Sequence, residues 1–356
     1  MRLWKRAGTW LAVGVAIVAV SWTIREIEAK TGHAPAAPVS THRDAPSGEA
    51  AVAPLITIPA GATLDAPQAF QFDADLARRA IRAGSLRIAL PDGTTYPVRM
   101  EHQSTDAAGR WSVIGRVTTP LGSEAMVLTF GPDAIFGVLP TPSGRAMQIE
   151  TGPGGRTTIA PTSELPARYS TIRPGTRDNH APPYATTPDE LLRAQGDFSA
   201  NAAPIDRLAP LGDGTLQIRV LAMYSGDLAK RRGSVSAAET EVANLFAIAN
   251  QASIDSGSSV RWVMVGLQRL DLPASLTNLQ ALRVLGHAQR GRVSALEAMR
   301  DVYTADLTAY IRPVRPGDRT CGADSPNGNV VANPAPCDES TLARHLVHAI
   351  GAADAP

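Results

Sequence analysis

Between Pro161 and Gly214 the chain is dense in Pro, Thr, Arg and Asp, as in Arg177-Asp-Asn-His-Ala-Pro-Pro183. Such a stretch buries too little apolar surface to pack and reads as an extended linker over 162–214. One short helix fits inside it, Thr187 to Gln195, with Pro188 in the first turn and Leu191 and Leu192 facing inward. The break matters because the two sides carry different hydrophobic periods. From 55 to 161, short β-like runs are punctuated by Gly, Pro and Asp: Ser85–Leu90, Tyr96–His102, Trp111–Val117, Ala125–Phe130, Ala134–Leu139 and Ala146–Glu150. That spacing predicts a small, mostly antiparallel β domain, preceded by one short helix over Asp73–Ala83 with Phe70, Leu76 and Ile81 as its buried contacts.

From 215 to 356 strands and helices alternate. The pattern predicts strands at Leu216–Tyr224, Val260–Leu270 and Leu307–Pro313, and helices at Ser236–Ser253, Leu276–Leu285 and Val293–Thr304. In the long helix Val242, Leu245, Phe246, Ala249 and Ala252 share one stripe, and Ser236 with Glu239 fits a capping box. Strand, helix, strand, helices, strand implies an α/β layer with crossover connections.

The N-terminus bears on location. Arg2, Lys5 and Arg6 precede an uncharged stretch from Ala7 to Ile24, and Arg25, Glu26 and Glu28 follow at once. This stretch is long enough to cross most of a bilayer, and its positive flank predicts a cytoplasmic N-terminus. Residues 1–30 therefore read as a transmembrane signal anchor, the alternative being a cleaved signal peptide that would leave the rest secreted. Residues 31–54, rich in Ala, Pro, Ser and Thr, read as a linker off the membrane. The expected location is the cell envelope, anchored in the inner membrane with periplasmic or extracellular domains. The only cysteines, Cys321 and Cys337, lie in the exported part, where a bridge is expected. A formal net charge of +1 argues against a nucleic-acid partner.

The remaining motif is Thr341-Leu-Ala-Arg-His-Leu-Val-His-Ala-Ile-Gly351. Together with Ile218-Arg-Val-Leu-Ala-Met-Tyr224, Ala249-Asn-Gln-Ala-Ser-Ile-Asp-Ser-Gly257, Leu296-Glu-Ala-Met-Arg-Asp-Val-Tyr-Thr-Ala-Asp-Leu307 and Cys321-Gly322, it resembles the N-terminal part of a reprolysin-like metzincin zinc metallopeptidase, similar to bacterial peptidyl-Asp metallopeptidases. Upstream, Gly109-Arg-Trp-Ser-Val-Ile-Gly-Arg116, Val127-Leu-Thr-Phe130 and Phe136-Gly-Val-Leu139 are similar to that family's β-rich propeptide. The resemblance implies a metzincin-like α/β (α+β) catalytic domain over 215–356, a propeptide-like domain over 55–161, and zinc as cofactor. The chain ends two residues after Asp354, so the downstream part of such a domain, with its Met-turn, is expected to be missing and the domain truncated.

Laid onto the family's H-E-x-x-H-x-x-G-x-x-H signature, Arg344 and His345 stand at the first ligand and the catalytic Glu. His348 stands at the second ligand, Gly351 at the turn, and Asp354 at the third ligand. A guanidinium stays protonated and cannot ligate, and an imidazole is not the carboxylate base that activates water. The expectation is a metallopeptidase homologue that has lost its catalytic residues and its activity. Two alternatives stay open. His345, His348 and Asp354 would serve a shifted zinc site, although moving a ligand by one position turns it about 100° around the helix. Otherwise the chain is a noncatalytic envelope module binding an extended peptide or protein. In the resembled proteases an edge strand pairs with extended substrate, a role that Gly328–Asn333 would take, and Gly322–Asn329 reads as a turn beside the disulfide.

Overall fold

The computed structural model describes residues 56–57, 68–69, 71–72, 74–83, 86–89, 95–144, 146–162, 214–287, 294–315, 318, 320–325, 328–334 and 337–351. The expected membrane segment, the first linker, the second linker apart from its end residues Thr162 and Gly214, and the helix at Thr187–Gln195 lie outside them, as do Phe70 and the side chain of Leu76. Among the described residues no helix is long and apolar enough to cross a membrane.

The first part is a curled sheet. Its strands are β1 (Ile56–Thr57), β2 (Gln68–Ala69), β3 (Gln71–Phe72), β4 (Leu86–Ala89), β5 (Thr95–Thr105), β6 (Trp111–Thr119), β7 (Gly122–Phe130), β8 (Ile135–Pro140), β9 (Ala146–Thr151) and β10 (Thr157–Pro161). They run in the order β2-β10-β9-β8-β7-β6-β5-β4-β1-β3, antiparallel except for the β1–β4 pair. β2 and β3 stand at opposite ends of that order yet are separated in sequence only by Phe70, so the sheet must curl to bring its ends together. β5 carries the bend, as its register with β6 slips between Met100 and His102. Alternating residues fill the inside: Leu86, Ile88, Val98, Val113, Leu128, Leu139, Met147, Ile149 and Ile159 are buried in one cluster. Helix α1 (Ala74–Arg82) adds Ala77 and Ile81 to it. The six expected runs all fall in strands; the short β1, β2, β3 and β10 carry too few residues for a period to show.

The second part is a three-layer α/β/α arrangement. Strands β11 (Leu216–Tyr224), β12 (Val260–Arg269), β13 (Leu307–Ile311), β14 (Gly322–Ser325) and β15 (Asn329–Ala332) run in the order β12-β11-β13-β15-β14, parallel except for β14. The helices are α2 (Gly226–Arg232), α3 (Val235–Asp255), α4 (Asn278–His287), α5 (Ser294–Val302) and α6 (Thr341–Ala349). Period-2 burial sorts the faces. Val220, Ala222, Tyr224, Ala309 and Ala332 pack under α3 and α6, whereas Leu221, Met223, Tyr310 and Val331 pack under α4 and α5. β15 is therefore an interior strand between β13 and β14, which corrects the expectation that Gly328–Asn333 forms the edge. The edge is β14, in the segment read as a turn, because a four-residue run of Gly, Ala, Asp and Ser carries no hydrophobic alternation.

Helix α3 joins the two parts. Val242, Leu245, Phe246 and Ala249 face the parallel sheet, as the stripe predicts, but Ala252 is exposed. The opposite face meets the curled sheet: Ala247 and Ile248 pack on Ile114 and Val127, and Ala237 on Ala134 and Phe136. Asn244 Nδ2 donates to Thr129 Oγ1 (3.1 Å) and to the carbonyl of Phe136 (3.2 Å). Gly131 permits the close approach, since a Cβ there would lie 2.0 Å from Thr240 Oγ1. The helix begins two residues earlier than the capping box implied: Ser234 Oγ, not that of Ser236, accepts the Ala237 N–H (2.9 Å). Glu239 is drawn away to Arg110 (2.8 Å) and Tyr224 (3.2 Å).

Ion pairs seal the contact. Arg232, 4% exposed, binds the equally buried Glu241 through Nε (2.7 Å) and Nη2, and reaches Glu150 of β9 (2.8 Å). Burial opposes its charge, but the two carboxylates outweigh that and hold the guanidinium protonated. Arg116 pairs with Glu101 and Asp255 nearer the solvent. Arg232→Met strands Glu241 and should cost about 3–5 kcal/mol in urea unfolding. Arg116→Met should cost about 1 kcal/mol or less.

Beside this contact Glu339 shares a small cavity with Phe136, Glu241 and Leu245. Burial raises its carboxyl above the usual range, helped by Asp338, while a backbone hydrogen bond works against it. A raised folded value means stability present at low pH and lost as pH climbs from the ordinary carboxylate range through that value. Glu339→Gln should therefore raise Tm at neutral pH and leave it nearly unchanged in acid, as thermal melts across pH would report.

Candidate metal centre

Helix α6 lies over α3, β14 and β15. Its Leu342, Ala343, Leu346 and Ala349 are buried against the parallel sheet, and this anchoring fixes where the polar residues point. Arg344 is exposed; His345 and His348 are half-buried on the flank facing β14. Residues three apart on a helix are neighbours, so both rings reach the same strand. Their centroids are 6.1 Å apart and edge-to-face.

The strand supplies a carboxylate. Asp324 Oδ1 lies 2.6 Å from His345 Nδ1 and 3.5 Å from His348 Nδ1. With the carboxylate ionised, the His345 Nδ1–H is the donor. The three side chains offer one ligand atom each within 4.8 Å of one another, the arrangement of a group that can hold a metal ion. Gly322 makes room for the ring, because a Cβ there would lie 2.5 Å from His345 Nε2.

The sequence had named His345, His348 and Asp354. The structure brings the two histidines together with Asp324; Asp354 lies outside the described residues. Asp338 and Glu339, close by in sequence, do not join the group: Asp338 Oδ1 accepts the Ser340 N–H (2.6 Å), and Glu339 turns to the cavity beside α3. Asp324 was missed because its pairing spans 21 residues and no local period marks it.

Strand and helix are tied on both sides of the site. The expected Cys321–Cys337 disulfide is present, with Cα atoms 5.7 Å apart. Cys321 precedes β14 directly and Cys337 leads into α6. Behind it, Asn333 N–H donates to the Cys321 carbonyl (2.9 Å), and Asn278 Nδ2 to the carbonyl of Thr320 (2.8 Å). Asn278 N–H in turn donates to Asp318 (2.7 Å), which pairs with buried Arg312 (3.1 Å). The bridge should restrict the unfolded chain by about 3 kcal/mol. Cys321→Ser with Cys337→Ser should lose about that much, read as a lower midpoint in guanidinium unfolding.

No family model matches the chain. No curated protein matches it either. Among solved structures it is similar to metalloproteinase-II from Bacteroides fragilis at 10% identity and a TM-score of 0.43, over 75% of this chain and 80% of that one. It is also similar to a chain in a chaperone–substrate complex at 19% identity and a TM-score of 0.33, over 38% of this chain and only 23% of the other's length. A bacterial metalloproteinase is thus a distant structural neighbour, and neither likeness bears on the chemistry of the site.

Proposed function

We propose that this chain is an exported, membrane-anchored metallopeptidase-like protein that does not hydrolyse peptides by the zinc–water route. One observation carries the loss: the position of the catalytic Glu is an imidazole hydrogen-bonded to Asp324, and the first ligand position is an exposed Arg. A base for the zinc-bound water needs a free carboxylate in reach, and Asp324 is engaged by two rings. Export and anchoring rest on the apolar stretch Ala7–Ile24 and the basic residues before it.

A second reading, a module that binds extended peptides, is favoured by the place of β14. Among the described residues it pairs only with β15, which leaves its outer side available for strand addition. One assay addresses both. Full-length chain with equimolar Zn²⁺, offered fluorescent extended peptides, is expected to yield no cleavage, while a rise in anisotropy would favour peptide docking. Cleavage that requires zinc and disappears in His348→Ala would overturn the proposal of lost activity.

A further inference from the structure

The geometry points to Asp324, His345 and His348 as a binding site for one divalent transition metal of the zinc class, with a ligand set different from the one the motif implies. Two donors come from α6 and the third from β14. A tetrahedral zinc with bonds of about 2.0–2.1 Å holds its donors about 3.4 Å apart. His348 Nδ1 and Asp324 Oδ1 already stand 3.5 Å apart. The shorter His345–Asp324 contact, 2.6 Å, has to open by less than the width of an atom.

The donor chemistry selects the ion. Two imidazoles and one carboxylate suit Zn²⁺, Co²⁺, Ni²⁺ or Cu²⁺, whereas Mg²⁺ and Ca²⁺ take oxygen donors. Thiolate sites are excluded because both cysteines are bonded to each other. Binding at His345 Nδ1 replaces the N–H there by the metal, and the neutral ligand imidazole then carries its proton on Nε2. Three protein donors leave one position for water.

Two further features fit a built site. Gly322 is a cradle that any side chain would fill, and it seats the imidazole of His345. The disulfide enters β14 three residues before Asp324 and approaches α6 from its N-terminal side, so strand and helix are already held together when the ion arrives. Preorganisation of this kind lowers the cost of assembling ligands from separate elements. The metal would then be a second clamp between β14 and α6, whether or not the chain hydrolyses peptides.

Zn²⁺ alone is the probe. Full-length chain is loaded with one equivalent, desalted and assayed by elemental mass spectrometry, with circular dichroism confirming the fold of every variant. The expected result is close to one zinc per chain, retained by Asp354→Ala and Arg344→Ala and lost in Asp324→Asn, His345→Ala and His348→Ala. X-ray absorption of the loaded parent chain needs no variant and should show two imidazoles in the zinc shell. No zinc on the folded parent, fewer than two imidazoles in its shell, or retention that survives Asp324→Asn would each overturn the assignment.

Discussion

Helix α3 is buried on two opposite faces, and both sheets depend on it. Its apolar stripe closes the parallel sheet, which is the ordinary fate of an amphipathic helix. The other face carries Thr240, Glu241, Asn244 and Gln251, all 5% exposed or less, and lies under the curled sheet. Buried polar groups cost free energy unless paired, so that contact is stable only because the partners are in register: Arg232 for Glu241, and Thr129 with the Phe136 carbonyl for Asn244. The curled sheet therefore meets a specific polar surface. Slipping it by one strand residue would unpair Asn244 and part Arg232 from Glu150 together.

From α3 the order passes to the metal centre through α6, which packs beside it on the same face of the sheet. What places β14 is different in kind. The chain between Ile311 and Cys321 has little apolar material, and hydrogen bonds fix it instead. Arg312 Nη1 donates to the Leu276 carbonyl (2.6 Å), Asn333 Nδ2 to the Arg312 carbonyl (2.8 Å), and Asp318 gathers Asn278, Arg312 and Arg315. Hydrogen bonds linked in this way hold the segment because each member fixes the orientation of the next. Covalent closure at Cys321–Cys337 then sets the distance between strand and helix.

Much of this was legible in the residues. β11 spans the expected stretch, and α3 exceeds the expected Ser236–Ser253 by less than a turn at each end. The disulfide followed from two cysteines close in sequence, in a segment expected to be exported. What escaped has a common cause. The polar face of α3 has the composition of a solvated surface, and only a second sheet, distant in sequence, turns it into an interface. Likewise Ser236 has the residue type and spacing of a cap, yet the chain enters the helix at Ser234 once Glu239 is held by Arg110 and Tyr224. Asp324 sits in a strand of four residues with no hydrophobic pattern, and its partners lie on another element. Local periods report which face is apolar; they do not report which polar residues meet.

One helix position decides which neighbours a side chain of α6 meets. Positions 344 and 345 differ by about 100° around the helix. Arg344 is exposed, whereas His345 turns to the flank facing β14. In this fold the flank it turns to is not empty, because β14 is the antiparallel edge strand beside α6 and carries a carboxylate there. His348 is close enough to His345 along the helix to share that carboxylate. Positions 345 and 348 thus present a pair of imidazoles to Asp324. Gly322, two residues earlier on the strand, lets the ring come close to the backbone. Two imidazoles on one helix make a metal-binding group only if a neighbouring element supplies the third donor, and here the disulfide holds that element where the donor is needed.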